Sequence, residues 1–267
     1  MSGAVVEQRR DTVEVAGADA ATYLQGQVSN DIEALAVGDS CWTFVLEPTG
    51  KLGFLARVAR TGDAAFRFDI DVGAGEELAA RLRRFLLRTK ATVEHGSLVV
   101  AIGERDGAVG QLVGWWGEGS HTIALEEEGD GPGEGAAPEP DGGGAEAARI
   151  AAGWPAHGHE LVDGVIPGET GVVPVAVSFS KGCYTGQELV ARIDSRGGNV
   201  PKHLRRLTLT GPAQVDDPIT VDGLEVGAIT SVAGSAALGY VHRSVEVPAA
   251  AVVGDRPAQV LELHPAG

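Results

Sequence analysis

Lys181-Gly182-Cys183-Tyr184-Thr185-Gly186-Gln187-Glu188, continued by Leu189-Val190-Ala191-Arg192, sets a cysteine between two glycines just ahead of an apolar run. Thr185 with Glu188 three residues later is a capping box, which predicts a helix that begins here and runs through Val190 and Ala191. Cys183 then sits before the positive end of that helix, with Lys181 two residues away. Helix-end N–H groups and a nearby cation both favour a thiolate over a thiol. Gly182 and Gly186 are positions where backbone can approach a ligand closely. A cysteine buried as a small hydrophobe beside a helix start has the same local pattern, so both readings are open on these residues alone.

Upstream, a short helix over Ala145 to Ile150 ends at Gly153-Trp154-Pro155, and the chain is then rich in glycine and proline up to Lys181. Before that helix, eight acidic residues and no base lie between Glu126 and Glu146, among Gly, Pro and Ala. With no large apolar side chain to bury, this stretch reads as a mobile acidic loop. The N-terminal part alternates strand and helix signals. Asp11 to Val15 is a strand, and Asp19 is placed to cap a helix through Tyr23, Leu24 and Val28 that closes at Asn30-Asp31. Strands follow over Cys41 to Ala59, around a Pro48-Thr49-Gly50-Lys51 turn, and over Ala65 to Val72. Leu78, Leu82, Phe85 and Leu86 recur at helical spacing between Glu76 and Arg88, which puts Arg81, Arg84 and Arg88 on a solvated face. Ala91 to Glu94, Leu98 to Ile102 and Thr122 to Leu125 are further strands. Downstream of the motif, Leu204 to Leu263 shows short alternating strands between Gly and Pro turns, the pattern of a small barrel. The fold class is therefore α+β. Its expected parts are residues 1–125, an acidic loop 126–146, a segment 147–203 carrying the motif, and a β-module 204–267.

Over 267 residues, 43% are hydrophobic and 22% charged, the balance of a chain with a real core. The net charge of -16 owes half its excess to the acidic stretch. That balance argues against a broad nucleic-acid footprint, so no direct nucleic-acid partner is expected. Arg192, Arg196, Lys202, Arg205 and Arg206 form a local basic cluster, suited to a polyanionic tail or RNA, or to balancing the acidic loop. No stretch reaches the length of a membrane helix and Met1 to Asp11 is polar, so a cytoplasmic protein is expected. Cys41 and Cys183 form neither a C-x-x-C pair nor a disulfide framework. His157, His159 and Glu160 lie close in sequence but offer no H-x-x-x-H helix face, and no metal site is expected.

The string K-G-C-Y-x-G-Q-E resembles the signature that the YgfZ family carries around its cysteine. These proteins are folate-binding relatives of the glycine-cleavage T-protein that support iron–sulfur cluster proteins. The resemblance extends to Arg149-Ile150-Ala151-Ala152-Gly153-Trp154-Pro155, Gly158-His159-Glu160, Ile166-Pro167-Gly168-Glu169 and the N-terminal stretch Tyr23 to Asp31, spanning about Thr12 to Leu207. It implies a T-protein-like arrangement of three parts in a ring around a hole sized for tetrahydrofolate, with a C-terminal small β-barrel. It also implies Cys183 as the functional thiol beside Lys181, with Tyr184, Gln187, Glu188 and Arg192 on the cofactor side. Trp154 can stack on a pterin, and Glu160 or Glu169 can supply a carboxylate. Implied partners are folate and iron–sulfur client or assembly proteins, including tRNA-modifying enzymes, met by a monomer.

Two positions depart from the pattern. Phe54 and Leu55 stand where T-proteins carry an acidic pair that aids methylene transfer, so aminomethyl transfer of that kind is not expected. Ala151 stands where many relatives have a glutamate facing the pteridine, which weakens folate binding by roughly 1.5–3 kcal/mol. Alongside the accessory-protein reading, folate-dependent one-carbon transfer and a protein-binding scaffold remain open.

Overall fold

The computed structural model describes residues 6–102, 122–125 and 142–263. In the N-terminal part, β1 (Val6–Ala16) is followed by α1 (Ala20–Gln25), β2 (Ser40–Leu46), β3 (Leu52–Gly62), β4 (Ala65–Ile70), α2 (Gly75–Arg83), β5 (Thr92–Ile102) and β6 (Thr122–Leu125). The strands form one sheet in the order β2-β3-β4-β1-β5-β6, antiparallel throughout.

Because side chains alternate across a strand, β2 and β3 feed two cores at once. Val45, Phe54, Ala56 and Val58 pack with Leu24 of α1 and Leu78 and Leu82 of α2. Phe44, Leu46 and Leu55, on the other face, pack with Ile150, Trp154, Leu161, Val165, Leu204, Leu238 and Tyr240. That second core is the cement of the molecule, since it draws on the sheet, the central segment and the barrel. The sheet also carries buried charge. Asp69 pairs with Arg10 (3.0 Å) and Arg57 (2.7 Å), and Arg10 also pairs with Asp71. The second carboxylate oxygen of Asp71 accepts the His157 N–H at 2.8 Å, tying the sheet to the segment after Trp154.

The central segment holds α3 (Gly142–Ala152), a 3-10 turn at Pro167–Glu169, α4 (Val173–Ala176) and α5 (Gln187–Ser195). The last part is β7 (Lys202–Leu209), β8 (Pro218–Val221), β9 (Leu224–Ala233), β10 (Ala236–His242), β11 (Ala249–Val253) and β12 (Arg256–Leu261). These close into a barrel in the order β10-β7-β12-β11-β8-β9, around Leu207, Ile219, Ile229, Val241, Val253 and Val260. Closure leaves no strand edge to template association. The expected α+β layout with a C-terminal barrel is what the chain forms.

Several local expectations are corrected. Asp19 does not cap α1; its carboxylate accepts the Lys90 N–H at 2.8 Å, and the helix ends at Gln25 rather than near Val28. α2 stops at Arg83, and the chain turns through Arg88 at φ 64°, which leaves Phe85 exposed. Asp11 caps its start from a distance, accepting the Gly73 and Gly75 N–H groups at 2.8 and 3.0 Å. Arg81 is buried rather than solvated. It donates to the Leu46 carbonyl (3.2 Å) and Gln27 (3.2 Å), with its guanidinium 4.3 Å from the Phe85 ring centre. The two strands expected over residues 91–102 are one. The end of the acidic stretch is helical, since α3 includes Glu146. Residues 126–141, the rest of the expected loop, lie outside the described residues. No helix among the described residues is long and apolar enough to cross a membrane.

Candidate functional site

The loop bearing Cys183 is held from three sides. α5 begins at Gln187, and its N-cap is Gly186 in the left-handed conformation at φ 82°. The expected Thr185–Glu188 capping box is therefore not what starts the helix. Instead the Thr185 N–H donates to the Gly26 carbonyl (3.0 Å), and the Tyr184 N–H donates to Gln187 Oε1 (3.1 Å). The need for glycine at 186 is both conformational and steric. A Cβ there would lie 2.5 Å from the Glu47 carbonyl oxygen, and one on Gly50 would lie 2.4 Å from Leu189 Cβ. Two glycines thus let the Glu47–Lys51 turn interlock with the start of α5.

Lys181 supplies the third hold. Its Nζ donates to the carbonyls of Gln25, Val28 and Asn30 at 2.7, 2.7 and 2.9 Å. These carbonyls lie at and beyond the end of α1, where helical partners run out. All three donors of the ammonium are thereby used. Burial pulls its pKa down to about 8, against which Asp31, then Cys41 and Glu33, favour the charge. Lys181 is accordingly an anchor of the loop, and the thiol its charge meets is Cys41. Cys41 is half-buried on β2, and burial pushes it up to about 12 with Lys181 the leading opposing influence. Cys183 is exposed. The outcome is a rigidly mounted, solvent-facing thiol, not the buried hydrophobe that the sequence left open.

The remaining expected site residues separate into closed and open groups. Glu160 is fully buried, and its carboxylate accepts from Arg149 (2.9 Å), the Ala156 N–H (3.0 Å), Thr230 (2.6 Å) and Ser231 (2.7 Å). Arg149 also donates to Glu146 (2.8 Å), the Trp154 carbonyl (2.6 Å) and Ser231 (2.7 Å). This hub joins α3 and the following loop to the barrel, and it spends the carboxylate intended for a ligand. Trp154 is buried with its ring centre 4.5 Å from that of Trp42. Tyr184 is half-buried, its hydroxyl pushed up to about 12 by burial and by Glu188, and the Lys181 ammonium lies 5.2 Å from its ring centre. Glu188 and Arg192 are exposed on α5. Glu169 is buried apart from this loop, against the barrel.

The basic cluster is dispersed: Arg205 pairs with Glu262, and Arg206 donates to the Ala151 carbonyl (3.2 Å). Phe54 and Leu55 are buried, with the Phe54 ring stacked on His157 at 6.2 Å. Sequence reasoning missed the Arg149 hub. A buried arginine eleven residues before a buried glutamate carries no periodic signal.

No family model matches the chain. An uncharacterized protein of Haemophilus influenzae is 29% identical over 194 residues, which is 70% of this chain and 67% of that protein. A chloroplastic protein of Arabidopsis thaliana, described as a "putative transferase", is 37% identical over 101 residues, 36% of this chain. That match spans only 23% of the plant protein. Among solved structures, the glycine cleavage system aminomethyltransferase T from Bartonella henselae superposes with a TM-score of 0.75 over 97% of this chain and 86% of its own, at 15% identity. The fold is that of the T-protein.

Proposed function

We propose that this chain is a YgfZ-type protein that binds a folate and uses Cys183 as a functional thiol in the assembly or repair of iron–sulfur enzymes, tRNA-modifying ones among them. The observation that carries the reading is the mounting of Cys183. It is an exposed thiol on a loop pinned by Lys181 to three carbonyls and by Gly186 to the Glu47–Lys51 turn. A transient thiol ligand or redox partner needs that access, with a support that does not collapse over it.

The T-protein fold supports a folate-related role. Glu160 and the Gln187 side-chain carbonyl are already spent and Trp154 is buried. The open groups around the motif are the half-buried Tyr184 ring and the exposed Glu188 and Arg192. They fit a folate in kind, a ring for stacking and a guanidinium for its glutamate carboxylates. A bound folate would supply a carrier for one-carbon units. The plant relative's description as a "putative transferase", taken with the T-protein fold, favours a second reading, folate-dependent one-carbon transfer.

Calorimetric titration with tetrahydrofolate and 5-formyl-tetrahydrofolate tests the folate arm. Saturable binding of either, weakened in an Arg192→Ala variant, is expected; absence of binding by both removes folate from the account.

A further inference from the structure

We propose that a cavity between the barrel and the Gly158–Glu169 stretch is a binding site for a zwitterionic α-amino acid with an apolar side chain. The cavity measures about 810 Å³, within the range of small-ligand sites, and among the described residues none that line it comes from the N-terminal sheet or the Cys183 loop.

Two opposite charges line it, and each is left open. Glu169 is 5% exposed, and one of its oxygens accepts the Ile166 N–H at a long 3.3 Å. The other has no hydrogen bond among the described residues. Lys202 extends over the Tyr240 ring, its ammonium 4.3 Å from the ring centre, and has no hydrogen-bond or ion-pair partner among the described residues. No ion pair joins Glu169 to Lys202, although the lysine's charge acts on the carboxyl and opposes the upward push of burial.

Nearby Glu160 shows what this fold does with a carboxylate meant for structure: four donors surround it. The oxygen of Glu169 that no protein donor meets belongs to a residue on the cavity lining, and a ligand ammonium there would gain a charge-assisted hydrogen bond to the carboxylate. A ligand with only an ammonium would desolvate Lys202 without a partner, and one with only a carboxylate would do the same to Glu169. A molecule carrying both groups satisfies both. Apolar lining is supplied by buried Ile229 on the wall, by Val226 and Ala228, and by exposed Val162 and Val215 at the mouth. That surface suits a hydrophobic side chain rather than glycine. His159, Asp216, Glu225 and His242 also line the cavity but are exposed to water, so they set its outer charge rather than its inner chemistry.

This inference stands apart from the folate reading, and three probes test it on the full chain by calorimetry: L-phenylalanine, 3-phenylpropionate and 2-phenylethylamine. L-phenylalanine should bind saturably at one site, and each analogue lacking one charge should bind at least about tenfold more weakly, roughly 1.4 kcal/mol. Lys202→Met should abolish the preference for L-phenylalanine over 2-phenylethylamine, and Glu169→Gln should abolish the preference over 3-phenylpropionate. If either variant fails to fold, the three-probe series on the unaltered protein still decides. No saturable binding of L-phenylalanine at about 10 mM, or an analogue that binds as well as the amino acid, overturns the proposal.

Discussion

The junction around Glu160 and the loop around Cys183 use buried charge to opposite ends. At the junction, every acceptor of Glu160 and every donor of Arg149 is spent, and the result is a seal between α3, its following loop and the barrel. In the loop, Lys181 is saturated in the same way, but two residues on the chain presents an exposed thiol. The same pairing of closed and open recurs between Glu160 and Glu169. Saturated polar groups mark what holds this molecule together, and the groups they leave open are those to which the two proposals assign other molecules. Substitutions at the two kinds of position should therefore separate stability from activity.

The largest effect on stability is expected at the junction. Glu160→Ala breaks the buried pair with Arg149, which keeps Glu146, and leaves the Ala156 N–H and the Thr230 and Ser231 hydroxyls without their acceptor, so it should cost about 3–5 kcal/mol. Denaturant unfolding reads it directly, and a loss below about 1 kcal/mol would show that the hub contributes little to the seal. Lys181→Met comes next. It leaves three carbonyls without their donor and should cost about 1–3 kcal/mol. Hydrogen exchange should show the loss concentrated at residues 25–30 and 178–186, with the barrel unchanged; a uniform rise in exchange would contradict the role of Lys181 as a local anchor.

A smaller effect follows pH. Burial raises Cys41 from an ordinary 9.0 to about 12, so between those values the folded chain keeps a proton that the unfolded chain has lost. This contribution to stability is complete below pH 9 and fades as pH climbs toward 12. Lys181 runs the other way: lowered from 10.5 to about 8, it carries a burial cost below pH 8 that is relieved as pH rises to 10.5. In native protein, Cys41 should resist alkylation up to about pH 10 and react only on unfolding. Labelling of native Cys41 near neutral pH would mean that β2 opens far more readily than its packing implies.

The fold was legible where order is local. Alternation announced the strands, and Gly and Pro turns announced the barrel from Leu204, two residues from its start at Lys202. The motif pointed to the exposed thiol. What sequence could not supply were partners distant along the chain. Lys181 finds its carbonyls more than 150 residues away, and its nearness to Cys183 in sequence suggested a different job. Arg81 falls on the polar side of a helical pattern yet is buried, because Gln27 and the Leu46 carbonyl meet it there. The Thr185–Glu188 pattern is sound as a local signal. It loses to the interlock with the Glu47–Lys51 turn, which demands a left-handed glycine at 186, one residue after the expected cap and where the helix would otherwise begin.

The smallest change in stability belongs to the residue on which the proposed function rests. Cys183→Ser alters one exposed atom and should shift unfolding by no more than about 0.5 kcal/mol. The measurement that tests the account most directly pairs that unfolding curve with the activity of an iron–sulfur enzyme in cells whose native protein has been replaced by the serine variant. The account predicts an unchanged fold and a cluster-dependent activity that falls to the level of cells lacking the protein. Full support of that enzyme by a well-folded serine variant would contradict it and make the thiol incidental.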